Sequence, residues 1–234
     1  MHKVYIFDVD GTLTPSRQRM NKQFAVWFSK FCESNNVYLV TGSDKAKTVE
    51  QVGEYIYFCC KKVYQCSGND VWIKSNNVKT NTISVSDKLQ EIFDYYLKSS
   101  SFKYKTGNHV EIRPGLINYS IVGRDCTLGE RESYVTWDKH TSERQEISEA
   151  INKADLGYIA TVAGETGIDV TLIGGGKEQI IHDFSPHNDL HFFGDKMLPG
   201  GNDYTLALEV IRSGGACHHV KDWKDTWNIL KINE

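Results

Sequence analysis

The chain has 234 residues, 40% of them hydrophobic, enough for one large domain or two small ones around a sizeable core. Twenty-seven Lys and Arg stand against 30 Asp and Glu, a formal charge of -3, so no global basic field recruits nucleic acid and any affinity for phosphate has to be local. No apolar run reaches the length of a membrane span, and the stretch at residues 4–7 is too short, and too soon followed by acid, to be a signal core.

Residues 4–7 form an apolar run suited to a buried strand. Residues 21–32 place Phe24, Trp27, Phe28 and Phe31 at helical spacing, and residues 37–40 read as a second buried strand. Such alternation implies a parallel sheet with ligands at the carboxyl ends of its strands, where residues 8–12 and 41–44 fall. Short apolar or alternating runs follow at 71–73, 110–112, 119–122, 158–161 and 169–173, with helical segments at 87–97 and 142–154. The change of character predicts an α+β insertion on an antiparallel sheet over residues 82–173. Strand signals return at 191–193 and 216–220, so the catalytic core is expected from 1–81 and 174–234. Cys32, Cys59, Cys60, Cys66, Cys126 and Cys217 include an adjacent pair and no Cys-x-x-Cys spacing, which reads as reduced thiols of a cytoplasmic protein. Cys217-His218-His219 has no further ligand at metal spacing and reads as a strand end.

The strongest chemical signal is Asp8-Val9-Asp10-Gly11-Thr12, an acidic pair at the mouth of the first strand. A bare Asp-x-Asp is commonly an acidic turn or a helix cap. The buried strand before it and the Gly-Thr after it favour catalysis: one carboxylate can attack phosphorus when a divalent cation suppresses its repulsion, and the other can shuttle a proton. Gly11 permits the tight turn that brings backbone amides to a phosphate.

This segment resembles the first motif of the haloacid dehalogenase-like superfamily, and three further motifs follow in order. Thr41 and Ser43, in Val40-Thr41-Gly42-Ser43-Asp44, both match the phosphate-contacting hydroxyl; Ser43 could equally cap a helix. Lys177, after Gly174-Gly175-Gly176, matches the lysine that neutralises charge between nucleophile and phosphate. Gly194-Asp195-Lys196 and Pro199-Gly200-Gly201-Asn202-Asp203 resemble the acidic fourth motif. The resemblance implies a magnesium site of Asp8, Asp195 and the Asp10 backbone carbonyl, with Asp203 behind it orienting Lys177 or a metal-bound water.

More specifically, the segments at residues 8–18, 111–124 and 193–203 are similar to signatures of the eukaryotic-type phosphomannomutases. The resemblance implies an α/β fold: a Rossmann-like haloacid dehalogenase-type core with an inserted α+β cap domain. Asp8, Asp10 and Lys177 would be catalytic. Arg17, Arg113, Arg124 and Arg131 would hold a second phosphate, for which planar guanidinium groups are suited. Asp169 would contact the sugar, with Asn118 and Ser120 as weaker candidates; where the family usually has serine this chain has Gly167. The reaction implied is mannose 6-phosphate to mannose 1-phosphate through an aspartyl-phosphate, with hexose 1,6-bisphosphate as activator, feeding GDP-mannose synthesis. The alternatives are a sugar-phosphate phosphatase or a phosphoglucomutase using the same residues. The resemblance also implies a homodimer through the cap. Metazoan members carry an acidic loop for a second cation, but Ala207-Leu208-Glu209-Val210-Ile211-Arg212 is an apolar-periodic helix here, so that site is not expected.

Overall fold

A computed structural model describes residues 2–232; Met1, Asn233 and Glu234, which the expected core spans include, lie outside them. Strand β1 (Lys3–Phe7) is buried along its apolar residues and pairs in parallel with β2 (Asn36–Val40). Between them helix α1 (Lys22–Ser34) starts at Asn21, whose side chain accepts the Gln23 and Phe24 amides. Its Phe24, Phe28 and Phe31 fall on one face and close over the sheet, with Phe28 edge-on to Phe7 at 5.2 Å. Full burial of each such ring contributes roughly 1.5–3 kcal/mol, so this seam anchors the strand that ends in Asp8.

Helices α2 (Lys45–Val52) and α3 (Glu54–Cys59) lead to β3 (Lys62–Gln65), parallel to β2. The hairpin β4 (Asp70–Ile73) and β5 (Asn76–Thr80) then adds antiparallel strands at that edge. Six elements form a second unit: α4 (Asp87–Ser99), β6 (Val110–Arg113), β7 (Leu116–Tyr119), α5 (Leu128–Thr141), α6 (Glu143–Lys153) and β8 (Tyr158–Ala163). They are completed by β9 (Gly167–Leu172). A 3-10 helix (Lys177–Asp183) leads back to β10 (Asp189–Gly194), α7 (Tyr204–Arg212), β11 (Ala216–His219) and α8 (Trp223–Ile232).

The larger sheet has the order β11-β10-β1-β2-β3-β4-β5. Because the chain winds outward from β1 to β3 and later returns to β1's other side, β1 and β10 flank the point where strand order reverses, the usual place for a ligand crevice in such sheets. Alternation along the strands splits the core: Tyr5 and Phe7 face α1, α3 and α8, while Val4 and Ile6 face α7 and the 3-10 helix.

The smaller sheet is antiparallel, in the order β6-β7-β9-β8. Ile117 and Tyr119 of β7 and Ile168 and Val170 of β9 pack with Leu89, Phe93, Tyr134, Ile147 and Ile151 of the helices. The alternate residues Asn118 and Asp169, paired in register, fall on the opposite face. Arg113 Nη1 donates to Gly42 O at 2.9 Å, and Val162 bridges Gly201, so that face meets the mouth of the larger sheet.

Two expectations shift. The strand expected at 119–122 lies at Leu116–Tyr119, because Pro114-Gly115, with Gly115 at φ +57°, reverses the chain at once. After Tyr119 the backbone turns, with the Gly123 amide donating to Ser120 O, so Ile121 and Val122 are buried by packing rather than by strand pairing. Helix α5 was not expected. Its buried residues are Arg131, Tyr134 and Asp138, which give no apolar stripe; a Thr127–Glu130 capping box starts it instead.

Candidate active site

The Asp8 amide donates to Phe193 O, the last link of β1 to β10, and the chain then leaves the sheet. Val9 is buried and its carbonyl accepts the Leu13 and Thr14 amides, which closes a tight turn. Gly11 at φ +85° lets the turn pass beside Asp195: a β-carbon there would stand 2.5 Å from Asp195 Oδ2.

Asp8 is 4% exposed, and its Oδ1 accepts Lys177 Nζ at 2.6 Å. The same ammonium donates to Asp203 Oδ1 at 2.7 Å, and Asp203 Oδ2 accepts the Lys196 amide. A lysine that would ordinarily sit in solvent is therefore enclosed and paired twice. Burial alone would lower its pKa, but Asp203 and Asp8 outweigh it and hold the ammonium well above its usual value. Burial pushes the Asp8 carboxyl well up; Lys177 opposes this, while Asp203 and Asp195 add to it. Burial and Asp203 likewise raise Asp195 to about 6.

Asp8, Asp195 and Asp203 present oxygens within 4.8 Å of one another, and Lys177 is the ammonium enclosed with them. Three carboxylates against one buried ammonium offer oxygen ligands that fit a hard divalent cation. The Asp10 side chain is engaged elsewhere. Its Oδ1 accepts the Arg17 amide at 2.7 Å and Gln51 Nε2 at 2.9 Å, and Oδ2 accepts Ser43 Oγ at 3.4 Å. The two carboxylates of the acidic pair thus have separate surroundings, one paired with the buried lysine and one hydrogen-bonded to neutral donors with Arg17 and Lys47 nearby.

Thr41 and Ser43 both face this cavity and are both buried, and the Ser43 amide donates to Thr41 Oγ1 at 3.0 Å. Helix α2 is capped by Asp44, which accepts the Lys47 amide, so Ser43 is not the cap. Gly42 allows the smaller sheet to approach, since a β-carbon there would lie 2.7 Å from Asp169 Oδ2.

The cavity between the two sheets has a volume of about 340 Å³, adequate for a small polar ligand. Asp8, Asp10 and Asp195 line it, as do Arg17, Arg113, Arg124 and Arg131. Arg113 Nη2 and Arg124 Nε share Glu111 Oε2 at 2.6 and 2.8 Å, and Arg131 Nε meets Glu165 at 2.8 Å. Burial opposes ionisation of Glu111, yet Arg113 and Arg124 draw its carboxyl down to about 2. Asn118 Nδ2 donates to Asp169 Oδ1 at 2.6 Å and Asn118 Oδ1 accepts Arg124 Nη1 at 2.9 Å, tying sugar-contact and phosphate-contact candidates together. At Gly167 an added β-carbon would stand 2.6 Å from Asn118 Nδ2, so this asparagine fills the space that a serine side chain would need. Ser120 is buried away from the cavity lining.

Lys177 and Asp203 lie beneath the cavity surface and act on it through Asp8; apart from Ser120, the other expected site residues line it directly. Lys47 and Gln51, four apart on one face of α2, were not expected here. Polar residues at that spacing look like any solvated helix face; only their position after Gly42-Ser43-Asp44 could have drawn attention to them. His218 stacks on Phe193 at 4.2 Å, and Cys217 donates to Ala207 O at 3.4 Å, both outside this site.

Solved structures share this architecture. The chain superposes on a Plasmodium falciparum IMP-nucleotidase with a TM-score of 0.65 and 17% identity, covering 98% of this chain and 69% of that one. A trehalose-6-phosphate phosphatase related protein gives 0.58 and 18%, covering 98% and 96%. The fold is that of a haloacid dehalogenase-type α/β protein. A model of eukaryotic phosphomannomutase matches residues 24–233, and the chain belongs to that family. It is 30% identical to a probable phosphomannomutase of Caenorhabditis elegans over 97% of this chain and 95% of that protein. The Saccharomyces cerevisiae phosphomannomutase is 28% identical over 96% and 91%.

Proposed function

We infer that the chain interconverts mannose 6-phosphate and mannose 1-phosphate, with Asp8 as nucleophile. The observation that carries this is one cavity lined both by Asp8, which is paired with Lys177, and by Arg17, Arg113, Arg124 and Arg131, so that one ligand can meet the nucleophile and the arginines together. In the phosphorylated enzyme the sugar hydroxyl attacks the Asp8 phosphoryl group while Asp10 takes its proton, giving the bisphosphate. After the sugar turns over, Asp8 attacks the other phosphate and Asp10 returns the proton to the departing oxygen. Arg113, Arg124 and Arg131 hold whichever phosphate is not reacting, which is what a mutase needs and a phosphatase of small monophosphates does not. Lys177 offsets the negative charge between Asp8 and phosphate. Magnesium, held by Asp8, Asp195 and the Asp10 backbone carbonyl, would supply neutralisation of charge on the transferring group.

The same reading takes residues 82–173 as the cap, with the core from 1–81 and 174–234. It takes hexose 1,6-bisphosphate as activator and nucleotide-mannose synthesis as the destination of the product. Family resemblance supports a homodimer through the cap, and six unpaired cysteines support a reducing, cytoplasmic setting. Within the described residues no helix is long and apolar enough to cross a membrane. A coupled assay of mannose 1-phosphate and glucose 1-phosphate, with and without bisphosphate and magnesium, tests the function. Bisphosphate-dependent conversion of mannose 1-phosphate is expected; release of inorganic phosphate as the main product would assign a phosphatase instead.

A further inference from the structure

We propose that Lys47 is a phosphate-binding residue of the distal subsite, acting with Arg17 on the phosphate that is not at Asp8; this rests on the two-phosphate reading above. Most cations of the cavity are already matched. Arg113 and Arg124 share Glu111, Arg131 has Glu165, and Lys177 has Asp8 and Asp203. Lys47 Nζ and the Arg17 guanidinium line the same cavity with no hydrogen-bond or ion-pair partner among the described residues.

The surroundings of these two groups are cationic. Arg17, Arg113 and Arg124 act on Lys47, and Arg124, Arg131 and Arg113 act on Arg17; Asp10 offsets both, and Glu111, already shared by Arg113 and Arg124, also feels Lys47. Holding a half-buried ammonium beside Arg17, Arg113 and Arg124 costs free energy unless an anion completes the group. A phosphate dianion supplies the missing charge and enough oxygens to serve both. Burial, and then the neighbouring arginines, push the Lys47 ammonium down to about 8.

The position of Lys47 is set by its helix. Asp44 caps α2 through the Lys47 amide at 2.9 Å, and Gln51, one turn on, is tied to Asp10 and Thr14. Both anchors sit on the core, whereas the three paired arginines come from the smaller sheet unit. Lys47 would therefore give the distal phosphate a core-borne contact, so that the ligand itself bridges the two units.

The test is calorimetric titration of hexose 1,6-bisphosphate into magnesium-loaded wild type, Lys47→Gln and Lys47→Arg. Loss of a charge-assisted contact should weaken Lys47→Gln roughly tenfold or more, while Lys47→Arg stays within about threefold. In steady state Lys47→Gln should raise KM for hexose phosphates while kcat moves by less than about threefold, the pattern of a contact kept from ground state to transition state. Wild-type affinity in Lys47→Gln, or equal weakening in both variants, overturns the role of Lys47. If wild type binds the bisphosphate no more tightly than a hexose monophosphate, the two-phosphate reading itself falls, and this one with it.

Discussion

Lys177 Nζ stands 2.6 Å from Asp8 Oδ1, and neither side chain is more than 5% exposed. The pair joins the end of β1 to the 3-10 helix that follows β9, 169 residues apart in sequence. Lys177→Ala leaves the Asp8 and Asp203 carboxyls facing each other without their ammonium. It should cost about 3–5 kcal/mol of stability, read by denaturant unfolding, besides abolishing turnover. A loss below about 1 kcal/mol would mean that the lysine is not a structural partner of both carboxyls.

Asp8→Asn keeps the shape of the side chain but removes the nucleophilic oxygen. The fold should persist by circular dichroism while kcat falls by orders of magnitude. Activity within about tenfold of wild type would move the nucleophile elsewhere.

Arg124→Ala and Arg131→Ala separate mutase chemistry from simple hydrolysis. Each removes a charge-assisted contact worth roughly 1.5–3 kcal/mol, so kcat/KM for hexose phosphates should fall about ten- to hundredfold. Cleavage of a small activated phosphate without a second anionic group uses only core residues such as Asp8, Asp10, Lys177 and Asp195, and should change far less. Equal losses on both substrates would remove the distal-phosphate role.

Gly167→Ser introduces the residue usual in the family at a place where a β-carbon would stand 2.6 Å from Asn118 Nδ2. The asparagine would have to leave Asp169 and Arg124, at a cost of roughly 1–3 kcal/mol. A lower Tm and a higher KM are expected, rather than the gain that a restored hydrogen bond would give.

The pH profile follows from Lys47, which burial and then Arg17, Arg113 and Arg124 push down to about 8. Below that value the free protein carries the charge and anion affinity is at its full strength. Above it the ammonium is lost, binding must take up a proton, and KM should rise. Arg17, lowered to about 10 by burial and by Arg124, Arg131 and Arg113, leaves a window between the two values in which the loss belongs to Lys47. Lys47→Arg should flatten the profile across that window; an unchanged profile would assign the titration to another group.

The amino-acid sequence determined the class of fold and the chemistry-bearing ends of the strands. Buried runs, helical spacing and an acidic pair beside glycine are local patterns, and the residues that carry them, from Val4 to Asp10 and from Val37 to Asp44, contact each other through adjacent strands. Family resemblance supplied Arg131 on a helix that periodicity missed, because α5 buries an arginine and an aspartate in place of an apolar stripe. Tertiary structure decided the contacts themselves, carboxylate by carboxylate. Nothing local to Lys177 sets it apart from a surface lysine, and it was the family resemblance that pointed to it before the fold enclosed it between Asp8 and Asp203; Gln51 and Lys47 read as a solvated face until α2 is laid against Asp10. Such assignments depend on distances between segments far apart in the chain, and on burial that strengthens each charge interaction by excluding water. Neither quantity is written in any local pattern of residues.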